Sequence, residues 1–162
     1  MITQPVGDVV RGKDIQELVS VPASASVADA VALMNRKGVG AVIISSRPDS
    51  VEGIFTERDV MSRVVGEGRD PKLTPVSSVM SPEVRRVDAS VSVEETLRLM
   101  VVHGHRHLLV EEGSVVQGLV SIRDLMHWII LPDTHIAHEG RVGVIRARTA
   151  EALQEMQEHA RR

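Results

Sequence analysis

Two stretches of the chain carry the same arrangement of reactive side chains. Gly53-Ile54-Phe55-Thr56-Glu57-Arg58-Asp59 is echoed by Gly118-Leu119-Val120-Ser121-Ile122-Arg123-Asp124. In each, an apolar run ends at a hydroxyl residue, and a carboxylate follows about one helical turn later. The simplest use of that spacing is a helix start: Thr56 or Ser121 caps the first turn, and Asp59 or Asp124 complements the helix dipole. The same geometry can hold a ligand. Unpaired amides and a hydroxyl at a helix start suit a phosphate, and a carboxylate one turn along can accept both hydroxyls of a ribose. Arg58 and Arg123, each directly before the acid, add positive charge. The whole pattern occurs twice, glycine and following apolar helix included, and this favours a ligand site over two chance caps.

Other chemistries find less support. His103, His105 and His107 alternate, and on one strand they would share a face able to bind zinc or nickel. Gly104 is placed to end a helix between them, and no Asp or Glu stands ready as a fourth ligand, so no metal site is assigned. His135 and His138 receive no role. No Ser-His-Asp or paired-carboxylate arrangement emerges from the spacing, so a non-enzymatic protein is expected. The chain has no cysteine, which removes thiol catalysis, disulfides, iron–sulfur clusters and Cys-based zinc sites, and a reducing cytoplasm is the simplest fit. Nineteen basic residues against twenty-two acidic ones make no basic field for duplex binding. With only Phe55 and Trp128 aromatic, a stacking platform for single strands is not expected either. No apolar run approaches the ~20 residues of a membrane span, and the first residues lack the marks of a signal peptide.

The elements that would position these residues are duplicated. Ser26-Val27-Ala28-Asp29 through Gly38 matches Ser92-Val93-Glu94-Glu95 through Gly104, and the lead-in Gln4-Pro5-Val6 resembles Thr74-Pro75-Val76. The spacing divides the 162 residues into a first copy at 5–66, a breaker-rich linker at 67–74, a second copy at 75–131 and an unmatched extension at 132–162. In each copy Pro5 or Pro75 opens a short helix. An extended piece follows at 18–21 or 84–87. A helix capped by Ser26 or Ser92 comes next, ending at Gly38 or Gly104. Two short strands then lead into a second helix starting at Thr56 or Ser121. The fold class is mixed α/β (α+β), two tandem β-α-β-β-α units with pseudo-two-fold symmetry and a C-terminal helical tail capped by Thr149. Each copy is small for an independent core, so the pair should fold as one body. The second helices carry Val60, Met61, Val64, Val65 and Met126, Ile129, Ile130, more apolar surface than two small sheets can cover. Ile129 is expected at the centre of the excess.

This duplicated arrangement resembles a tandem pair of cystathionine β-synthase (CBS) domains, a Bateman module, over roughly residues 5–131. The resemblance implies a non-catalytic regulatory module that binds adenosine-containing ligands (AMP, ADP, ATP or NAD) in clefts between the copies and passes ligand state to a protein partner. It also implies a homodimer through the second helices. Carried over by position, one cleft joins Thr56, Arg58 and Asp59 to Arg86 and Val91, with Arg106 and His107 near the phosphates. The other joins Ser121, Arg123 and Asp124 to Val19, Ser20 and Ala25, with Val39, Gly40 and Ala41 as its floor. Ser20 and Pro22 fit the family's first strand, whereas the second copy has Arg86 and Asp88 there, and Ile43 and Leu109 replace a frequent proline. The Ser121–Asp124 cleft is therefore expected to admit adenine more readily, and the other to prefer more phosphorylated ligands. The competing reading is a ligand-free interaction scaffold whose two motifs are only caps.

Overall fold

In the computed structural model, residues 2–13, 18–47 and 50–130 are described. The helix expected from Thr149, the extension at 132–162, and His135 and His138 lie outside them. In the first copy, β1 (Ser20–Val21) runs parallel to β2 (Ala41–Ile44), and β3 (Gly53–Thr56) pairs antiparallel with β2. Helix α1 (Val6–Arg11) precedes this sheet, α2 (Val27–Lys37) joins β1 to β2, and α3 (Glu57–Asp59) follows β3. The second copy repeats the order with β4 (Arg86–Asp88), α4 (Val93–His103), β5 (His107–Glu112), β6 (Val115–Ser121) and α5 (Ile122–Ile130). Its sheet again has one parallel and one antiparallel pair. Local signals set the helix ends. The hydroxyls of Ser26 and Ser92 accept the amides of Asp29 and Glu95 at 3.1 and 3.2 Å. Gly38 and Gly104 close α2 and α4 in the left-handed region, at φ 66° and 68°, where a Cβ would be strained.

The middle strands are buried on both faces. Val42 and Ile44 pack with Val27, Ala30 and Met34 of α2, while Ala41 and Ile43 face Leu109 of the other sheet. Leu108 and Val110 pack likewise with Val93 and Met100. The cluster of Ala41, Ile43, Ile54 and Leu109 joins the two sheets into one body, as the size of each copy requires.

The lead-ins are exchanged. Val6, Val9 and Val10 of α1 lie in the core of the second copy with Val87, Val120 and Leu125. Val76 and Val79, around a 3-10 turn at Val76–Ser78, lie in the core of the first. The hydrogen bonds match across the duplication. Val6 and Gly7 donate to the carbonyls of Val91 and Ala89 at 2.8 and 3.0 Å, and Val76 and Ser77 to those of Ala25 and Ala23 at 2.8 and 3.3 Å. This exchange explains the glycine that opens each motif. A Cβ on Gly118 would meet Val10 Cγ1 at 2.7 Å, and one on Gly53 would meet Met80 Sδ and the Ser81 carbonyl at 2.7 Å.

The second helix of the first copy departs from the expected α-helix. After α3 the chain continues as a π-helical turn over Val60–Val65, with the Gly66 amide donating to the Met61 carbonyl at 2.9 Å. Ser62 Oγ donates to the Arg58 carbonyl at 2.8 Å, the acceptor an α-turn would give to the Ser62 amide, and such back-bonding loosens a helix. Val64 is buried, while Met61 and Val65 are 74% and 69% exposed. In α5, Leu125 is buried and Ile129 packs on the core of its own copy, leaving Met126 and Ile130 exposed. Ile129 is therefore not the centre of the uncovered face.

Candidate ligand-binding clefts

Strand β3 delivers Thr56 to the start of α3, and the turn is closed by a reciprocal capping box. The Thr56 amide and Oγ1 both donate to Asp59 Oδ2, at 2.9 and 2.8 Å, and the Asp59 amide returns to Oγ1 at 3.4 Å. Asp59 is buried, and its Oδ1 lies 3.5 Å from the Arg63 guanidinium. That guanidinium also donates to the carbonyls of Val79 and Met80 at 2.9 and 2.8 Å, tying the cap to the exchanged lead-in. Beside the cap is a cleft of about 450 Å³ lined by Glu57, Arg58, Met61 and Ser62 of the first copy and Arg106 of the second. Two exposed guanidiniums from different copies thus face one space. Glu57 is seated over Gly40, whose missing side chain leaves room for the carboxylate.

The second motif repeats the cap. The Ser121 amide and Oγ donate to Asp124 Oδ2 at 2.7 and 2.9 Å, and the Asp124 amide returns to Oγ at 3.2 Å. Its cation comes from farther away. Lys13 Nζ, just beyond α1, donates to Asp124 Oδ2 at 2.8 Å and to the Leu119 carbonyl at 2.9 Å. Burial pushes the Asp124 carboxyl up, but the Lys13 ammonium and the hydrogen bonds from Lys13 and Ser121 outweigh it and hold the group below the usual carboxylate value. His107 pairs with Ser121 across the strands, the place Ala41 holds against Thr56. Burial depresses the imidazole, opposed by Asp124, deepened by Arg106 and Lys13, and opposed again by Glu57. These five side chains link the surroundings of the two motifs.

Of the expected residues, Arg58 and Arg106 line the described cleft, and the remaining ones lie elsewhere. Val91 and Ala25 sit at the lead-in junctions, accepting from Val6 and Val76. Val19 gives its carbonyl to Ile43, Ser20 is exposed on β1, and Ala41 is buried between the sheets beside half-buried Val39 and Gly40. Arg86 is ion-paired with Glu111 along β4 and β5. Arg123 is exposed on the first turn of α5. Arg63 and Lys13 belong to neither copy of the duplicated motif. Arg63 could have been found four positions after Asp59 on one helix face. Lys13 and Asp124 lie 111 positions apart with no shared motif.

Comparison with known proteins agrees with this architecture. The CBS domain family model matches residues 6–66 and again 76–131. Protein MK0525 of Methanopyrus kandleri is 30% identical over 122 residues, 75% of this chain, and this chain spans only 60% of that relative. The structure of a protein with CBS domains from Burkholderia ambifaria MC40-6 superposes with a TM-score of 0.75 at 35% identity, over 83% of this chain and 98% of that one. The CBS domain protein PAE2072 of Pyrobaculum aerophilum, complexed with AMP, shares the fold at a TM-score of 0.62 and 21% identity, over 74% of this chain and 88% of that one. Two matched units, two sheets and an exchanged pair of lead-ins together make this chain a member of the CBS-domain family, a tandem pair of CBS domains.

Proposed function

We propose that the chain is a non-catalytic regulatory module that binds adenosine-containing ligands of the AMP, ADP, ATP or NAD class in its two clefts. The observation that carries this is the repetition of one polar constellation. Each motif sets a hydroxyl and a carboxylate at a helix start, with a cation of the opposite copy nearby: Arg106 lines the cleft beside α3, and Lys13 pairs with Asp124 of α5. Hydroxyl and cations would meet phosphate, and the carboxylates would hold the ribose. The PAE2072 complex with AMP supports the ligand class. In the first cleft, Arg58 and Arg106 favour a more highly phosphorylated ligand. Binding would alter affinity for a regulated protein partner, in the cytoplasm. Among the described residues no helix is long and apolar enough to cross a membrane.

A thermal-shift series with AMP, ADP, ATP and NAD tests the reading. A ligand at ~100 times its dissociation constant should add about 2.7 kcal/mol of stability. No shift with any of them at millimolar concentration would support the scaffold reading instead. That second reading has its own observation: Met61, Val65, Met126 and Ile130 are exposed on the two second helices. We assign this surface to a homodimer, in which a self-complementary interface would cover it.

A further inference from the structure

The Ser121–Asp124 turn, where the second ligand cleft is proposed, holds a cation that the duplicated motif does not supply. Lys13 and Asp124 form an ion pair in which the side chains keep 28% and 27% of their exposure, and the lysine also holds the Leu119 carbonyl. Chain topology puts it there. Helix α1 is docked on the second copy through Val6 and Gly7, and the Lys13 amide closes on the Val10 carbonyl at 3.1 Å. The offset that carries Val6 onto Val76 carries Lys13 onto Glu83, so the second lead-in has an acid in the matching place. At the other acid, Asp59 meets Arg63 of its own helix at 3.5 Å, and that guanidinium is committed to two carbonyls.

We propose that Lys13 is a specificity-determining residue of the Ser121–Asp124 cleft, making it select phosphorylated nucleosides over the bare nucleoside. The proposal rests on the reading that adenosine ligands enter this cleft. An ammonium already on Asp124 is a charge-assisted partner that a neutral sugar diol must displace or share. A phosphate brings a counter-charge to which the ammonium can turn. Asp124 is then released to the sugar without a partly buried cation being left alone. Both effects move the affinity ratio of phosphorylated to unphosphorylated ligand in the same direction.

Calorimetric titration of AMP and of adenosine into the full chain tests this. Lys13→Met and Lys13→Arg are compared with the unaltered protein, all in an Asp59→Asn background that weakens the other cleft. The AMP-to-adenosine affinity ratio should fall about tenfold in Lys13→Met and stay within about twofold in Lys13→Arg. Lys13→Gln, which keeps a donor without the charge, should show the same fall and serves if the methionine variant is unstable. An unchanged ratio in Lys13→Met or Lys13→Gln, with AMP still bound, overturns the assignment and leaves adenosine-ligand binding standing. Absence of AMP binding to the unaltered chain overturns both.

Discussion

Asp59 and Asp124 each close a capping box with one oxygen, Oδ2, so their structural and ligand-binding roles compete in any mutant. Removing either carboxylate leaves the amide and hydroxyl of Thr56 or Ser121, and the cation beside it, without that acceptor, at about 1–3 kcal/mol of stability. Losing a charge-assisted bond to a ligand hydroxyl costs about 1.5–3 kcal/mol of affinity. Asp59→Ala and Asp124→Ala should therefore lower both the melting point and the affinity for adenosine ligands. Titration well below each variant's melting point checks this, and unchanged affinity with a lowered melting point would return both residues to simple caps. His107 adds a pH dependence. Its folded pKa lies below 6.5, so the unfolded chain takes the proton first, and stability should fall as pH drops from 6.5 through that lower value. Asp124 works at lower pH: its contribution is complete above 3.8 and lost as pH falls through its depressed folded value. His107→Ala, which installs the residue Ala41 holds in the first copy, should flatten the upper of these two windows in pH-dependent melting curves.

At the scale of elements, what could be read from the sequence was what neighbours in sequence decide. Ser26, Ser92, Gly38 and Gly104 end their helices as their types require, and the two motifs sit at strand-to-helix turns as their spacing requires. The π-helical turn after Asp59 was not legible, because it depends on which donor takes the Arg58 carbonyl. Its winding matters for the outer surface, since Met61 and Val65 point away from the core that holds Val64. Ile129, by contrast, packs on its own copy, so a charge there tests the core and not the interface. Val65→Glu and Ile130→Glu should each leave the fold intact and give a monomer by light scattering, because an unpaired charge in an apolar interface costs several kcal/mol. An unaltered chain that already scatters as a 17.7 kDa monomer at micromolar concentration would contradict the homodimer.

For the molecule as a whole, the exchanged lead-ins matter most, and no local pattern announces them. The duplication marks 5–66 and 75–131 as copies, yet the core of the first sheet is closed by Val76 and Val79 and that of the second by Val6, Val9 and Val10. The Lys13–Asp124 pair was hidden for the same reason, since α1 carries the lysine to the other copy. A fragment of residues 18–82 therefore holds the Val76 and Val79 closure of the first sheet but loses Leu109 from the face of Ala41, Ile43 and Ile54, while one of residues 5–66 loses both and carries an orphaned α1. Neither should reach the stability of the full chain, and by circular dichroism 18–82 should keep more structure and melt at the higher temperature. Cooperative melting of 5–66 alone would mean that the exchange contributes little.

Calorimetric titration of the full chain with AMP and with ATP tests the claim that the two motifs form two inequivalent adenosine-ligand clefts. Two binding events of unequal affinity are expected. AMP should favour the cleft lost in Asp124→Ala, and ATP should gain most at the one lost in Asp59→Ala, where Arg58 and Arg106 converge. Two identical sites for both nucleotides would contradict the asymmetry, and no heat from either at millimolar concentration would contradict the claim itself.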